Sequence, residues 1–264
     1  MGILNVTPDS FSDGGAYLTP EAAIRRGLQL AEEGADLIDV GGESTRPGAA
    51  PVALAEELRR TLPVIRRLAK RVQIPLSIDT SKAEVALRAV DAGASIVNDV
   101  TALRGDPGMA AVIARSRAAV VLMHMRGAPR TMQRRPRYQD VVSEVASFLR
   151  GAARQAQAAG VPASRILLDP GLGFGKTAAH NVSLMGSLDR LVGLGFPVVL
   201  GPSRKSFIGK TLGAALEERL AGTLACVALA WHAGLLVVRV HDVKETVRFF
   251  RMAAAIGGPH ALGR

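Results

Sequence analysis

Cysteine is nearly absent from this chain of 264 residues: Cys226 stands alone, which excludes an internal disulfide and a metal cluster built from thiolates. Aromatic residues are scarce too, at 4%, and no basic stretch is interleaved with rings. The net charge of +10 therefore comes without the stacking platform that nucleic acid recognition needs. Lysine is rare as well; of 33 basic residues only six are Lys and the other 27 are Arg. No basic, apolar leader precedes the first strand-like residues after Met1, so a cytoplasmic location is expected. The longest run free of Asp, Glu, Lys and Arg, Leu220 to Val238, approaches bilayer length, but Gly222, His232 and Gly234 interrupt it. It reads as a buried helix to Trp231 and a strand from Leu235.

Short apolar runs alternate with helical periodicity from end to end, and no linker or shift in composition marks a second domain. Strands are expected near Gly2–Val6, Leu37–Val40, Leu76–Ile78, Ser95–Val97, Val120–Met123, Ile166–Leu168, Val198–Leu200 and Leu236–Val240. Thr19-Pro20 offers an N-cap and a first-turn proline for the first helix, and Gly160 with Pro162 stops the helix whose apolar face is Val141, Val145, Phe148 and Ala152. Eight strand-helix units favour a single-domain α/β fold over residues 1–264, a (β/α)8 TIM barrel, with a doubly wound open sheet as the alternative.

The stretch "RILLDPGLGFGKT", Arg165 to Thr177, looks like the end of a phosphate-binding loop and is not one. A Walker loop needs glycine where Pro170 stands, and the dinucleotide fingerprint needs a third glycine where Lys176 stands. What remains is an apolar strand ending on Asp169. In a barrel, functional groups belong at strand ends, where Asn5, Asp79, Asn98, His124, Asp169, Ser203, Arg239 and His241 all fall. Any one of them alone could be a turn or cap residue.

Arg239 and His241, two apart, share one side of a strand and form an anion clamp. Asn5 offers a neutral oxygen to a divalent cation that phosphate oxygens would complete. The glycine- and hydroxyl-rich loops "TPDSFSDGG" and "GGESTRPGA" suit closure over an anion, though plain turn chemistry gives the same composition. Asp79, Asn98 and Asp169 form a second set, two carboxylates and an amide. A flat heterocycle with a ring N–H beside an amino group pairs with a carboxylate through two parallel hydrogen bonds, which fits Asp169; a capping role is its rival.

With "MGILNVTPDSFSDGG", "DVGGESTRPGA", "SIDTSK", "IVNDV", "LMHM", "LLDPGLGFGKT", "SRKSFIG" and "RVHDVKE" in order, the chain resembles the dihydropteroate synthases, a family of pterin-binding enzymes. The resemblance implies condensation of 6-hydroxymethyl-7,8-dihydropterin diphosphate with 4-aminobenzoate in folate synthesis. It assigns the pterin to Asp79, Asn98, Asp169 and Lys205, with Met123 and Gly201 lining the slot. It assigns the aminobenzoate to Thr45, Arg46, Pro47, Phe174 and Ser203, and the diphosphate to Arg46, Arg239, His241 and, through Mg²⁺, Asn5. Lys205, Arg239, His241 and Arg46 are the implied catalytic residues, Mg²⁺ the implied cofactor, and a homodimer the implied assembly. No nucleic acid or membrane partner is expected. A corrinoid-dependent methyltransferase on the same scaffold shares the Asp/Asn/Asp set but has no use for "STRPG", "SRKS" and "RVHD". A non-catalytic pterin-binding relative should have lost Lys205, Arg239 or His241, and all three are present. Pro202 departs from the family pattern at the entry to the seventh loop, where it removes a backbone donor.

Overall fold

The computed structural model describes residues 1–7, 19–46, 48–235 and 237–257. Strands β1 (Gly2–Asn5), β2 (Ile38–Gly41), β3 (Leu76–Asp79), β4 (Ile96–Asp99), β5 (Ala119–Met123) and β6 (Ile166–Asp169) form one parallel sheet in chain order. β7 (Val199–Leu200) and β8 (Val237–Val238) pair in parallel beside it. Two further parallel bridges close the ring: Leu168 with Val198 joins β6 to β7, and Gly2 with Val240 joins β8 to β1. Backbone bonds seal the second seam, Ile3 N to Val240 O at 3.0 Å and Val240 N to Met1 O at 2.9 Å. The result is a closed (β/α)8 barrel, and the open-sheet alternative falls.

Around it lie α1 (Pro20–Glu32), α2 (Leu54–Leu68), α3 (Ala83–Asp91), α4 (Met109–Arg115), α5 (Val141–Ala158), α6 (Ala178–Met185), α7 (Leu188–Val192), α8 (Ser206–Leu212), α9 (Leu220–His232) and α10 (Val243–Ala255). Their starts follow local chemistry. Thr19 caps α1 by accepting from Ala22 N with Pro20 in the first turn, and Asp140 caps α5 through Val142 N and Ser143 N. The charge-free stretch divides as the sequence suggests, into α9 and then β8; Leu236 lies outside the described residues. Among the described residues no helix is long and apolar enough to cross a membrane.

The side-chain alternation of a strand separates two cores. Outward residues such as Val40, Ile78, Val97, Leu122 and Leu168 pack on the helices. Inward ones, Met1, Val121 and Val199 with Leu37, Ile96, Leu167 and Val237 against them, plug the barrel. Two residues further along those same strands the inward positions turn polar: Asp39, Asn98, Asp169 and Arg239. The apolar plug thus becomes the floor of a polar mouth at the C-terminal ends of the strands.

Alternation also separates neighbours at a strand end. Asn98 points inward, while Asp99 faces the helices and accepts from Thr101 N (2.8 Å), Thr101 Oγ1 (2.6 Å) and Leu103 N (2.7 Å). Ala102 and Leu103 both hold positive φ, 52° and 66°, a left-handed pair that L-residues adopt at a cost. The buried Asp99 carboxylate holds that turn.

Candidate active site

A cavity of about 530 Å³ opens at the C-terminal ends of the strands. Asn5, Thr45, Arg46, Asp79, Phe174, Ser203, Lys205, Arg239 and His241 all line it. Asn98, Met123, Asp169 and Gly201, also expected in the site, are buried but are not part of its wall. Pro47 lies outside the described residues, as do residues 8–18 of the first loop.

The deepest feature is ionic. Arg239 donates through Nε to Asp39 Oδ2 at 2.6 Å and through Nη2 to Asp79 Oδ2 at 2.9 Å, and Asn98 Nδ2 donates to the same Asp39 oxygen at 3.0 Å. Burial alone would lower the Arg239 guanidinium; the two carboxylates outweigh it and hold the pKa above its ordinary value. Asp79 is driven the other way, raised by burial despite Arg239 beside it. The remaining oxygens, Oδ1 of Asp39 and Oδ1 of Asp79, are buried with no hydrogen-bond partner among the described residues. Such acceptors are costly until a donor reaches them.

Asp169 accepts from Gly171 N at 2.6 Å, which makes it a cap for the turn after β6, and it stands beside Lys205. Burial raises its pKa, and the Lys205 ammonium opposes that rise. Lys205 is drawn down to about 8 by burial, against the pull of Asp169; its ammonium donates to Leu172 O and sits 4.8 Å from the centre of the Phe174 ring. Met123 packs with Val100, Met125 and Met132, and Phe174 lies against this cluster.

On the opposite side, Ser203 Oγ accepts from His241 N at 3.1 Å and lies 2.9 Å from His241 Nδ1. In the tautomer with Nδ1 as acceptor, Ser203 donates to it and Nε2–H is left as the imidazole donor; in the other, Nδ1–H donates to Oγ. Burial first, and then the charge of Arg239, pushes His241 down to about 3. The residues of the expected anion clamp are thus a cation already paired with two carboxylates and a neutral imidazole. A serine donating to a histidine is also half of a nucleophile–base pair, which the sequence did not reveal. Arg204, in a left-handed conformation (φ 50°), makes a two-pronged bond to Asp242 at 2.9 and 2.7 Å, which ties the loop after β7 to the end of β8. Around Pro202 the same loop closes by a Lys205 N to Pro202 O bond at 3.2 Å.

One expected rim residue is elsewhere. His124 follows the inward Met123, so alternation turns it out of the mouth; it is buried edge-on against Phe148 (4.8 Å between centroids) and contacts Lys176 Nζ at 2.8 Å. Asp39, Lys176 and the Lys82 network were not singled out from the sequence. Lys82 donates to Glu43 and, at 2.5 Å, to the fully buried Glu57, anchoring the base of the loop that carries Thr45 and Arg46. A signal existed for Asp39: a charged residue in mid-strand, in phase with Leu37 below it and facing a barrel that also receives Arg239.

Three comparisons bear on this geometry. The sequence profile of a family described as pterin binding enzyme matches residues 1–241. The dihydropteroate synthase of Synechocystis sp. is 47% identical over 257 residues, spanning 97% of this chain and 89% of its own. Among solved structures, the Yersinia pestis dihydropteroate synthase in complex with a sulfonamide drug superposes with a TM-score of 0.94 at 44% identity, covering 97% of this chain and 93% of that one. The Xanthomonas albilineans dihydropteroate synthase with 4-aminobenzoic acid gives 0.90 at 52% identity over 98% and 93%. In complex with 7,8-dihydropteroate it gives 0.87 at 50% identity over 97% and 92%.

The neutral His241 makes a prediction for stability. An unfolded chain protonates this imidazole near its ordinary 6.5, whereas the native one stays neutral down to about 3, so native stability falls as pH drops through that window. Relative to His241→Gln, wild type should lose about 1.4 kcal/mol per pH unit between pH 6 and 4. Urea unfolding of both proteins across that range measures it, and parallel pH profiles would refute the neutral assignment.

Proposed function

The chain belongs to the pterin-binding enzyme family and, within it, to the dihydropteroate synthases, transferases of folate biosynthesis, and from that premise we propose how its residues divide the reaction. The reaction joins the aniline nitrogen of 4-aminobenzoate to the methylene carbon of 6-hydroxymethyl-7,8-dihydropterin diphosphate. The bond from that carbon to the diphosphate oxygen breaks, and the aniline nitrogen gives up a proton. Asp79, Asn98, Asp169 and Lys205, with Met123 and Gly201, take the pterin. The observation that carries this assignment is the buried Oδ1 of Asp79, which lines the cavity and has no hydrogen-bond partner among the described residues. A flat ring with N–H donors supplies what it lacks.

Thr45, Arg46, Phe174 and Ser203 take the aminobenzoate, as residues of one cavity wall, and Pro47 belongs to the same assignment. The same wall takes sulfonamides. Arg46, Arg239 and the Nε2–H of His241 receive the diphosphate. Asn5 lines the cavity, its amide makes no hydrogen bond to a described residue, and a neutral oxygen completed by phosphate oxygens is a donor set that Mg²⁺ accepts. When bound there, Mg²⁺ supplies charge neutralisation to the departing diphosphate. The electron-rich dihydropterin shares the positive charge left on the methylene carbon, so the path is dissociative and the main catalytic demand is electrostatic. Ser203 and His241 act in it as orienting donors.

The assembly is a homodimer through α9 and its neighbours. α9 carries no Asp, Glu, Lys or Arg, yet Ala221, Ala225 and Leu229 are exposed at four-residue spacing. Leu212 on α8 and Met252 on α10 are exposed as well, by 58% and 62%. An apolar face of this kind fits a second copy of the same chain.

Three measurements test these proposals. Diphosphate release from the two substrates should be lost in excess EDTA and restored by Mg²⁺; full activity in EDTA removes the metal. Asp169→Asn keeps an acceptor for Gly171 N but turns an NH₂ toward the donors of the pterin edge. It should weaken pterin binding roughly a hundredfold with little change in the thermal midpoint. Normal binding with early melting would mark Asp169 as a cap alone. Leu229→Glu should convert the dimer to monomer in sedimentation velocity, and an unchanged sedimentation coefficient places the interface elsewhere.

A further inference from the structure

The loop after β6 has every carbonyl from Gly171 to Gly175 held by a side-chain donor. Lys176 donates to Gly171 O (2.9 Å) and Phe174 O (3.1 Å), Tyr138 to Gly175 O (2.9 Å), Lys205 to Leu172 O and Gln133 to Gly173 O. Lys176 is the only one of these donors that supplies two carbonyls, and it does so from within, 3% exposed. Its third donor direction meets His124, at 2.8 Å from Nδ1 and a longer 3.4 Å from the backbone O, so the ammonium is spent on two loop carbonyls and one residue beyond β5. The loop lies pressed on the chain beyond β5. At Gly171 (φ 65°) an added Cβ would stand 2.0 Å from His124 O, and at Gly175 (φ 64°) 2.3 Å from Arg126 O. No side chain on the loop can take over the fastening from that side.

We propose that Lys176 is a positioning residue for the aminobenzoate half-site: by holding the carbonyls of Gly171 and Phe174 against His124, it sets where the Phe174 ring stands in the cavity wall. The inference rests on the aminobenzoate reading of Phe174. It also gives Lys176 of the stretch from Arg165 to Thr177 a role other than phosphate binding.

The charged and titratable groups around Nζ are Asp169 on β6, His124 and Arg126 beyond β5, Lys205 before α8 and His180 on α6, with Arg104 acting on His124 from the loop after β4. Burial draws Lys176 down to about 7; Asp169 opposes this, while Lys205 and Arg126 reinforce it. His124, pushed to about 2 by burial and by the Lys176 charge, is neutral and remains an acceptor. Above neutral pH the amine keeps two N–H groups for the same acceptors, and the fastening weakens.

Steady-state kinetics of Lys176→Met, which keeps the length and removes the donors, test the role, with Phe174→Ala as the control. Lys176→Met should raise KM for 4-aminobenzoate about tenfold while kcat stays within about twofold and pterin affinity by calorimetry within about threefold. In wild type that KM should climb between pH 6.5 and 8.5, and the part of the climb absent from Lys176→Met belongs to Lys176; Lys205 titrates in both proteins. An unchanged KM in Lys176→Met with a raised one in Phe174→Ala overturns the positioning role and leaves the reading of Phe174 standing. An unchanged KM in both overturns that reading and the role with it. A KM, kcat and thermal midpoint that all worsen together, with the pH climb intact, make Lys176 a merely structural residue and also overturn it. Should Lys176→Met not fold, Lys176→Gln keeps two N–H donors for the two carbonyls. A KM near wild type with the pH climb gone then supports the role, and a retained climb refutes it.

Discussion

Arg239 between Asp39 and Asp79 is the link on which the mouth of this barrel depends. It joins β8 to β2 and β3 across the interior, at the level where the apolar plug gives way to polar groups. Ionic links at such depth are not a route to stability in themselves, since desolvating the charges offsets most of their attraction. Removing one partner is another matter, because a lone buried charge costs about 3–5 kcal/mol. The arrangement is thus hard to alter piecemeal. It also leaves each carboxylate with one oxygen spoken for and one vacant, so that the ion pair orients acceptors as well as neutralising them.

The loops are organised by the same logic of charged side chains gripping backbone or carboxylate. Lys82 with Glu43 and Glu57 anchors the loop after β2, Asp99 the turn after β4, Lys176 the loop after β6, and Arg204 with Asp242 the loop after β7. Each anchor sits at or near a strand end, and of these residues Glu43 and Arg204 also line the cavity. Residues expected at the site also hold the fold: Asp169 caps the turn after β6 through Gly171 N, and Arg239 ties β8 to β2 and β3.

The barrel was legible because strand length, apolar runs and helix caps are local properties, and because eight such units have few ways to close. The rim was legible for the residues whose inward phase coincides with the strand end, such as Asp79 and Asp169. It failed at His124, one residue past the inward Met123, because position at a strand end and direction at a strand end are different things. Asp39 escaped notice for the converse reason, being inward but not terminal. Lys176 could be excluded from phosphate binding by spacing alone. Its acceptors, the carbonyls of Gly171 and Phe174 and the backbone and ring of His124, become visible only once the loop is folded. The neutral state of His241 likewise depends on burial and on Arg239, which no spacing rule reports.

The tetrahedral donor set of Lys176 gives a meaning to the arginine bias of the chain. A planar guanidinium matches the flat edges of carboxylates, as Arg204 and Arg239 do, but it cannot aim three donors at acceptors arranged around a point. Of the six lysines, Lys70, Lys210 and Lys244 are exposed, and the other three are the interior donors Lys82, Lys176 and Lys205. In so arginine-rich a chain a lysine is itself a mark on the sequence, and half of those marks fasten loops at the C-terminal ends of the strands.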